Sequence, residues 1–163
     1  MLSNFTIDPG AFTLFLKLFA ALLCGTAIGT ERIISHKAAG MRTYALVAMG
    51  ASLFVIVNEL LIHQFMATGV GFSDPLQIPS MIISGIGFMG VGLIISRDKN
   101  VTGLTTASGL WVTAGIGMAC GAGFFMPAFM TTLLALFVLI ILWHVEKHVK
   151  QLSPYVSEEH EEK

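Results

Sequence analysis

Five apolar stretches govern what this chain can fold into, at residues about 11–30, 43–65, 78–96, 103–121 and 124–145. A helix needs about 20 consecutive apolar residues to cross a bilayer, and each stretch comes close to that length. The expected fold is an all-α membrane protein: a bundle of five transmembrane helices within a single domain, residues 1–149, followed by a polar tail, 150–163. Only 12% of the 163 residues are charged and 55% are hydrophobic, whereas a soluble domain carries about twice that charged share. A net charge of -1 gives no electrostatic basis for binding nucleic acid. The opening MLSNFTIDPG lacks the basic segment of a cleavable signal peptide, so the first stretch is read as a retained span.

Charge placement sets the orientation. Arg32, Lys37 and Arg42 lie between the first two stretches, Arg97 and Lys99 between the third and fourth, and Lys147, Lys150 and Lys163 beyond the fifth. Eight of the nine basic residues therefore fall on one side, which the positive-inside tendency makes cytoplasmic. The N-terminus is expected outside and the C-terminus inside. The acidic tail SEEHEEK can bury little and reads as a solvated end.

GIGFMGVG, residues 85–92, matches the G-x-G-x-x-G pattern of dinucleotide loops. That pattern needs a preceding strand, a following amphipathic helix and an acidic residue about 20 positions on. Here it sits inside an apolar span, with Asp98 too near. Small residues let membrane helices approach closely, so Gly85, Gly87, Gly90, Gly92 and Gly103 are expected to pack helices. Gly25 and Gly29, and Gly117 and Gly121, have the same character. A bent helix beside a cavity is the alternative reading of so many glycines.

Polar groups at span depth are costly and are candidates for function. Glu31 and Arg32 end the first span and Arg42-Thr43 opens the second, so all four should share one depth. They form either a polar site, with Arg42 or Arg32 fixing Glu31, or ordinary charged flanks. Lys17 and Glu59 each lie roughly 9 Å from the outer helix ends at about 1.5 Å per residue. They either pair or stand apart, Lys17 snorkelling to the headgroups. Thr105 and Thr106, with Thr102 and Ser108, can bond to carbonyls one turn back, or across to another helix or ligand. Trp111 lies deeper than an interfacial belt, so its indole N–H should need an acceptor.

His144 and His148 have i, i+4 spacing, but the lysines around them disfavour a cation and an exposed flank is expected. No metal site, cofactor or catalytic constellation is expected, and the chain is not read as an enzyme. Cys24 and Cys120 read as two small buried hydrophobes.

The stretch TERIISHKAAGMRTYALVAMGASLF resembles the first signature of the MgtC/SapB family, with its G-x-E-R, A-G-[LM]-R-T and L-V-x-x-G-A elements. ISGIGFMGVGLII is similar to the second signature and VTGLTTASGLWVTAGIGMACGAGFF to the third. The resemblance implies a multi-pass protein of the bacterial cytoplasmic membrane. Members are associated with growth in low magnesium and with acid adaptation, and regulation of membrane partners such as the ATP synthase has been proposed for some. Matching positions are Glu31, Arg32, Gly40, Arg42, Thr43, Gly85, Gly87, Gly90, Gly92, Gly103, Leu104, Thr105, Thr106 and Trp111. The chain departs from the family in Ile33-Ile34, where members often carry a further charge, and in Gln77 and Met81. The small cytoplasmic C-terminal domain that some members carry is not expected here.

Two functions follow. One is a regulator of ion and energy homeostasis acting on a membrane protein partner. The other is a transporter or channel for magnesium, protons or a small solute. The lipid bilayer is the immediate partner, and small-residue faces favour a homo-oligomer, a dimer being simplest.

Overall fold

The computed structural model describes residues 9–67, 74, 76–97 and 100–152. Residues 1–8, 68–73, 75, 98–99 and 153–163 lie outside them. Helices dominate: α1 (Pro9–Ile34), α2 (Met41–Ala67), α3 (Gln77–Leu93), α4 (Leu104–Gly121) and α5 (Phe125–Phe137). The last runs through a π-helical turn (Val138–Leu142) into α6 (Trp143–Leu152). Three segments are long and apolar enough to cross a membrane: Gly10–Ile34, Met41–Ala67 and Phe125–Val149. The third and fourth stretches give the shorter α3, of 17 residues, and α4, of 18.

Two expectations about element boundaries are corrected. The third stretch does not stay helical to residue 96. It ends at Leu93, and the antiparallel hairpin β1 (Ile95–Arg97) and β2 (Asn100–Thr102) follows, Ile95 facing Thr102. Among the described residues the fold is therefore helical but for one small hairpin. Gly103 closes that hairpin at φ +90, and a Cβ there would collide with the Leu93 carbonyl. Only glycine meets both demands. The last helix also continues past residue 149, to Leu152.

Helix ends follow from local chemistry. The Lys37 amide donates to the Arg32 carbonyl (2.9 Å) and the His36 amide to Ile33 (3.0 Å), with His36 left-handed at φ 54. This is the paired-bond termination in which the residue after the cap turns left-handed. Gly123, at φ +81, ends α4 the same way, with Phe124 bonded to Ala119 and Gly123 to Cys120. At the start of α3 the Asp74 side chain accepts from the Leu76 amide (2.8 Å). Pro79 lies in the first helical turn, where a missing N–H costs little.

The core lies around α4, which packs against α1, α2, α3 and α5. Its buried face holds Thr106, Leu110, Thr113, Ala114, Ile116, Gly117, Cys120 and Gly121. Small side chains there let α2 come close. A Cβ on Gly117 would land on the Ala48 carbonyl, and one on Gly121 would sit 2.6 Å from the Ser52 carbonyl oxygen. On α1 a Cβ at Gly25 would lie 2.5 Å from the Tyr44 carbonyl oxygen, and one at Gly29 would lie 2.5 Å from Met41 Cα. Buried hydroxyls turn back on their own helix: Thr113 donates to the Gly109 carbonyl (2.8 Å) and Thr132 to Ala128 (2.8 Å), which satisfies them without a partner helix.

Three of the four glycines of α3 do not share this role within the chain, whereas Gly90 packs against α4. Gly85, Gly87 and Gly92 have nothing within 4 Å of a built Cβ, and Gly90 only Ala107 Cβ at 3.5 Å. Gly85, Gly87 and Gly92 lie on exposed helix surface, and Gly90 is the one buried residue of α3. Gly103 serves the hairpin turn instead of helix packing.

Candidate functional site

The last turn of α1 carries Glu31 and Arg32 into the protein, at 7% and 2% exposure. The helix runs past both residues, so they are part of its final turn and not of a loop beyond it. The Arg32 Nε–H donates to Glu31 Oε2, and the Ser35 hydroxyl donates to Glu31 Oε1 (2.6 Å). Both carboxylate oxygens are thus held by α1 itself. Arg32 has five N–H donors, and its buried Nη1 has no hydrogen-bond partner among the described residues.

Arg42 does not join this pair. It is exposed at the start of α2, because His36 and the short 35–40 turn set α2 so that its buried face is Tyr44, Ala48, Ala51 and Ser52. Arg42 and Thr43 instead line an apolar groove of about 820 Å³ between α2 and α3, with Gly85 and Met81. Gln77 begins α3.

Tyr44 is fully buried, and its hydroxyl donates to the Thr106 carbonyl (3.2 Å), tying α2 to the first turn of α4. Gly109 leaves room for that ring; a Cβ there would lie 2.7 Å from Tyr44 Oη. Thr106 is buried and Thr105 exposed, so of the two adjacent threonines one faces the core and the other a cavity. Ser108 bonds back to Leu104 (2.9 Å). Trp111 is 52% exposed and points away from the core. The α4 positions facing inward are Leu110, Thr113 and Ala114, and Trp111 borders a groove of about 290 Å³ instead.

Two cavities flank the Glu31–Arg32 pair under the π-helical turn. One, of about 560 Å³, is lined by Arg32, Lys37, Thr105, Trp143, Glu146 and Lys147. The other, of about 500 Å³, has Thr30, Glu31, His36 and His144 on its wall. Ser35, Leu139 and Trp143 border both. A π turn widens a helix by one residue and recurs at functional sites; here it places Leu139 on the wall of both cavities. Lys147 Nζ lies 5.7 Å from the Trp143 ring centre, within cation–π range. His144 and His148 each place Nδ1 on the carbonyl one turn back (2.8 and 3.1 Å).

At the opposite end Lys17 Nζ donates to Glu59 Oε2 at 2.8 Å, the lysine side chain 12% and the glutamate 48% exposed. Reading the sequence missed Tyr44, Ser35 and the Trp143–Lys147 wall. A tyrosine directly after Arg42-Thr43 in an apolar helix was the available signal for the first. Nothing local marked the others.

The sequence profile of the MgtC family matches residues 18–148. Protein MgtC of Salmonella typhimurium (strain LT2) is 41% identical over 141 residues, 86% of this chain and 57% of its own length. Protein SapB of Bacillus subtilis (strain 168) is 38% identical over 155 residues, 94% of this chain and 64% of its own. The Escherichia coli (strain K12) protein named "Putative magnesium transporter YhiD" is 40% identical over 122 residues, 75% and 56%. The chain therefore spans little more than half the length of most of these relatives. No solved structure matches it. The matched range extends from the middle of α1 into α6 and includes the buried Glu31–Arg32 pair and the glycines that seat α2, and so this chain belongs to the MgtC family.

Proposed function

We propose that this chain is a five-span protein of the bacterial cytoplasmic membrane, its basic end facing the cytoplasm, that acts in magnesium homeostasis by regulating a membrane partner. One observation carries the reading. The buried charges gather at one end, and between the two ends the core is closed by Ala21, Tyr44, Ala48, Leu110 and Thr113, each at 0% exposure. A conduit through one protomer would have to part these residues, whereas a regulator needs no conduit. The α2–α3 groove and the open face of α3, with Phe88 at 83% and Val91 at 69% exposure, offer surface for a partner within the bilayer.

The cavity sign points the same way. Three cations and one carboxylate, Glu146, line the larger cavity, and magnesium is held by carboxylates and retained waters. Transport remains the second reading, favoured by the printed name of the Escherichia coli relative.

Purified protein in liposomes, assayed for magnesium and proton flux with Glu31→Gln and Arg42→Ala alongside, separates the two. The regulator predicts no flux above empty vesicles. It also predicts that Gly85→Leu, which fills the α2–α3 groove, abolishes growth complementation in low magnesium while protein levels hold. Flux that both substitutions abolish in folded protein makes it a transporter.

A further inference from the structure

The larger cavity at the basic end has the chemistry of a headgroup site. Arg32 brings a guanidinium that is 2% exposed and whose Nη1 lacks a partner among the described residues. Burying such a donor unpaired costs more than a hydrogen bond returns, so an acceptor within the cavity would be strongly held. Lys37 and Lys147 stand exposed on the same wall. Glu31 is already engaged by Arg32 and Ser35, and Glu146 has its own interaction within the protein. Thr105 places the first turn of α4 there, a helix start with no side-chain cap. Its orphan amides and dipole favour an anion.

The cavity is not purely polar. Val138, Leu139, Leu142 and Trp143 line its other side. Three of its residues, Thr105, Val138 and Leu139, also line an apolar groove of about 300 Å³ between α4 and α5. That groove shares Val112 and Thr131 with a third, of about 290 Å³, reaching Met118. From Thr105 to Met118 the track runs about 20 Å along α4 at about 1.5 Å per residue. One leaflet of hydrocarbon is about 15 Å deep, half of a core of about 30 Å. A cationic pocket opening into an apolar track of leaflet length has the shape of a lipid.

We propose that the Arg32–Lys37–Lys147 cavity and the α4–α5 track below it bind one anionic phospholipid of the cytoplasmic leaflet, its phosphate against Arg32 and one acyl chain along α4. Basic pockets between membrane helices on that side suit such headgroups. A soluble phosphate ester shares the headgroup chemistry but would leave the track unused. The proposal rests on the membrane orientation given above but on neither regulator nor transporter activity, and its test needs neither.

The full chain, purified in neutral detergent, is titrated with phosphatidylglycerol, phosphatidylcholine of matched acyl chains, glycerol phosphate and inorganic phosphate, and unfolding is followed by tryptophan fluorescence. Phosphatidylglycerol is expected to raise the melting temperature by about 5 °C at saturation, with little shift from the other three and no displacement by the soluble phosphates. The double variant Lys37→Ala/Lys147→Ala, whose side chains are exposed, should weaken the lipid by roughly tenfold or more. Thr131→Phe, which narrows the track from an exposed position, should weaken it too. An equal shift from phosphatidylcholine, displacement by glycerol phosphate, or unchanged affinity in both variants would overturn the assignment. These variants spare the buried pair, so the outcome does not depend on whether Arg32→Gln folds.

Discussion

The trio α1, α2 and α4 and the neighbouring α3 are both rich in glycine, yet they use it oppositely. In the trio, Gly25, Gly29, Gly117 and Gly121 sit where an added methyl would strike main-chain atoms of α2. In α3, Gly85, Gly87 and Gly92 face open space. The most apolar segments lie at the periphery, and the central helix α4 is the one filled with Gly, Ala, Ser and Thr. In a membrane protein the residue that seeks the interior is the small one, because lipid already accepts the large apolar ones. Glycine content therefore does not locate packing; the orientation of each glycine does.

The most direct way to break this comparison is to load one glycine in each region. Gly117→Leu should cost more than about 5 kcal/mol and prevent folding, since the obstacle is the Ala48 carbonyl and not a side chain that can move. Gly87→Leu should leave the melting temperature of the purified protein within a degree or two, roughly the shift of a surface substitution. If the α3 face instead packs on a second copy, Gly87→Leu will lower the oligomeric state in light scattering while the protomer stays folded. A Gly117→Leu protein with an unchanged melt would show that the trio is not held as described.

The two arginines of the first signature sharpen the contrast. Arg32 lies in the trio, buried and bonded to Glu31; Arg42 lies at the α2–α3 groove, exposed. Arg32→Gln leaves a buried carboxylate with only the Ser35 hydroxyl, and should cost about 3–5 kcal/mol. Arg42→Gln should change stability by less than about 0.5 kcal/mol while removing whatever contact the groove makes to a partner. Thermal unfolding of both variants in the same detergent reads the difference directly; equal losses would mean the pair is not buried as placed.

Tyr44 tests the seam between α2 and α4. Tyr44→Phe keeps the ring in the space left by Gly109 and removes only its bond to the Thr106 carbonyl. A loss of about 1 kcal/mol is expected. A loss above about 3 kcal/mol would mean that the hydroxyl holds the ring in place, because a lone neutral hydrogen bond does not contribute that much.

The long apolar helices and the gathering of Arg32, Lys37 and Lys147 at one cavity were legible because apolar run length and charge placement are local properties of the chain. The partner of Glu31 was not. Arg32 and Arg42 are equivalent by residue type, and the choice between them turns on how far α2 is rotated, which the left-handed His36 and the Gly29–Met41 contact decide. The π turn at Val138–Leu142 leaves no mark in VLIIL, since it is a shift in hydrogen-bond register and not a pattern of side chains. The hairpin was missed because Ile95-Ser96 was read as the end of the third apolar stretch and the β-branched Val101 and Thr102 were passed over. Cys24 and Cys120 were read as two small buried hydrophobes, and the fold packs Cys24 against the core cluster that holds Cys120. The two lie 96 positions apart, beyond any local signal.

The smallest expected effect concerns the end of the trio away from the basic cluster. Lys17 and Glu59 join α1 to α2 there, but the glutamate is 48% exposed, and an ion pair so placed contributes about 0.2–1 kcal/mol. The stem of Lys17 does more than carry charge: a Cβ on Gly123 would lie 3.7 Å from its Cε, against the turn between α4 and α5. Lys17→Met, which keeps a stem of similar length, should therefore cost less than about 1 kcal/mol, and Lys17→Ala clearly more. Lys17→Glu and Glu59→Lys should each lower the melting temperature, and the double exchange should recover part of the loss. Equal losses for Met and Ala would assign the lysine's role to its charge alone. Full loss in the double exchange would assign it to the stem, and the trio would then be joined at this end, as at its centre, by close packing.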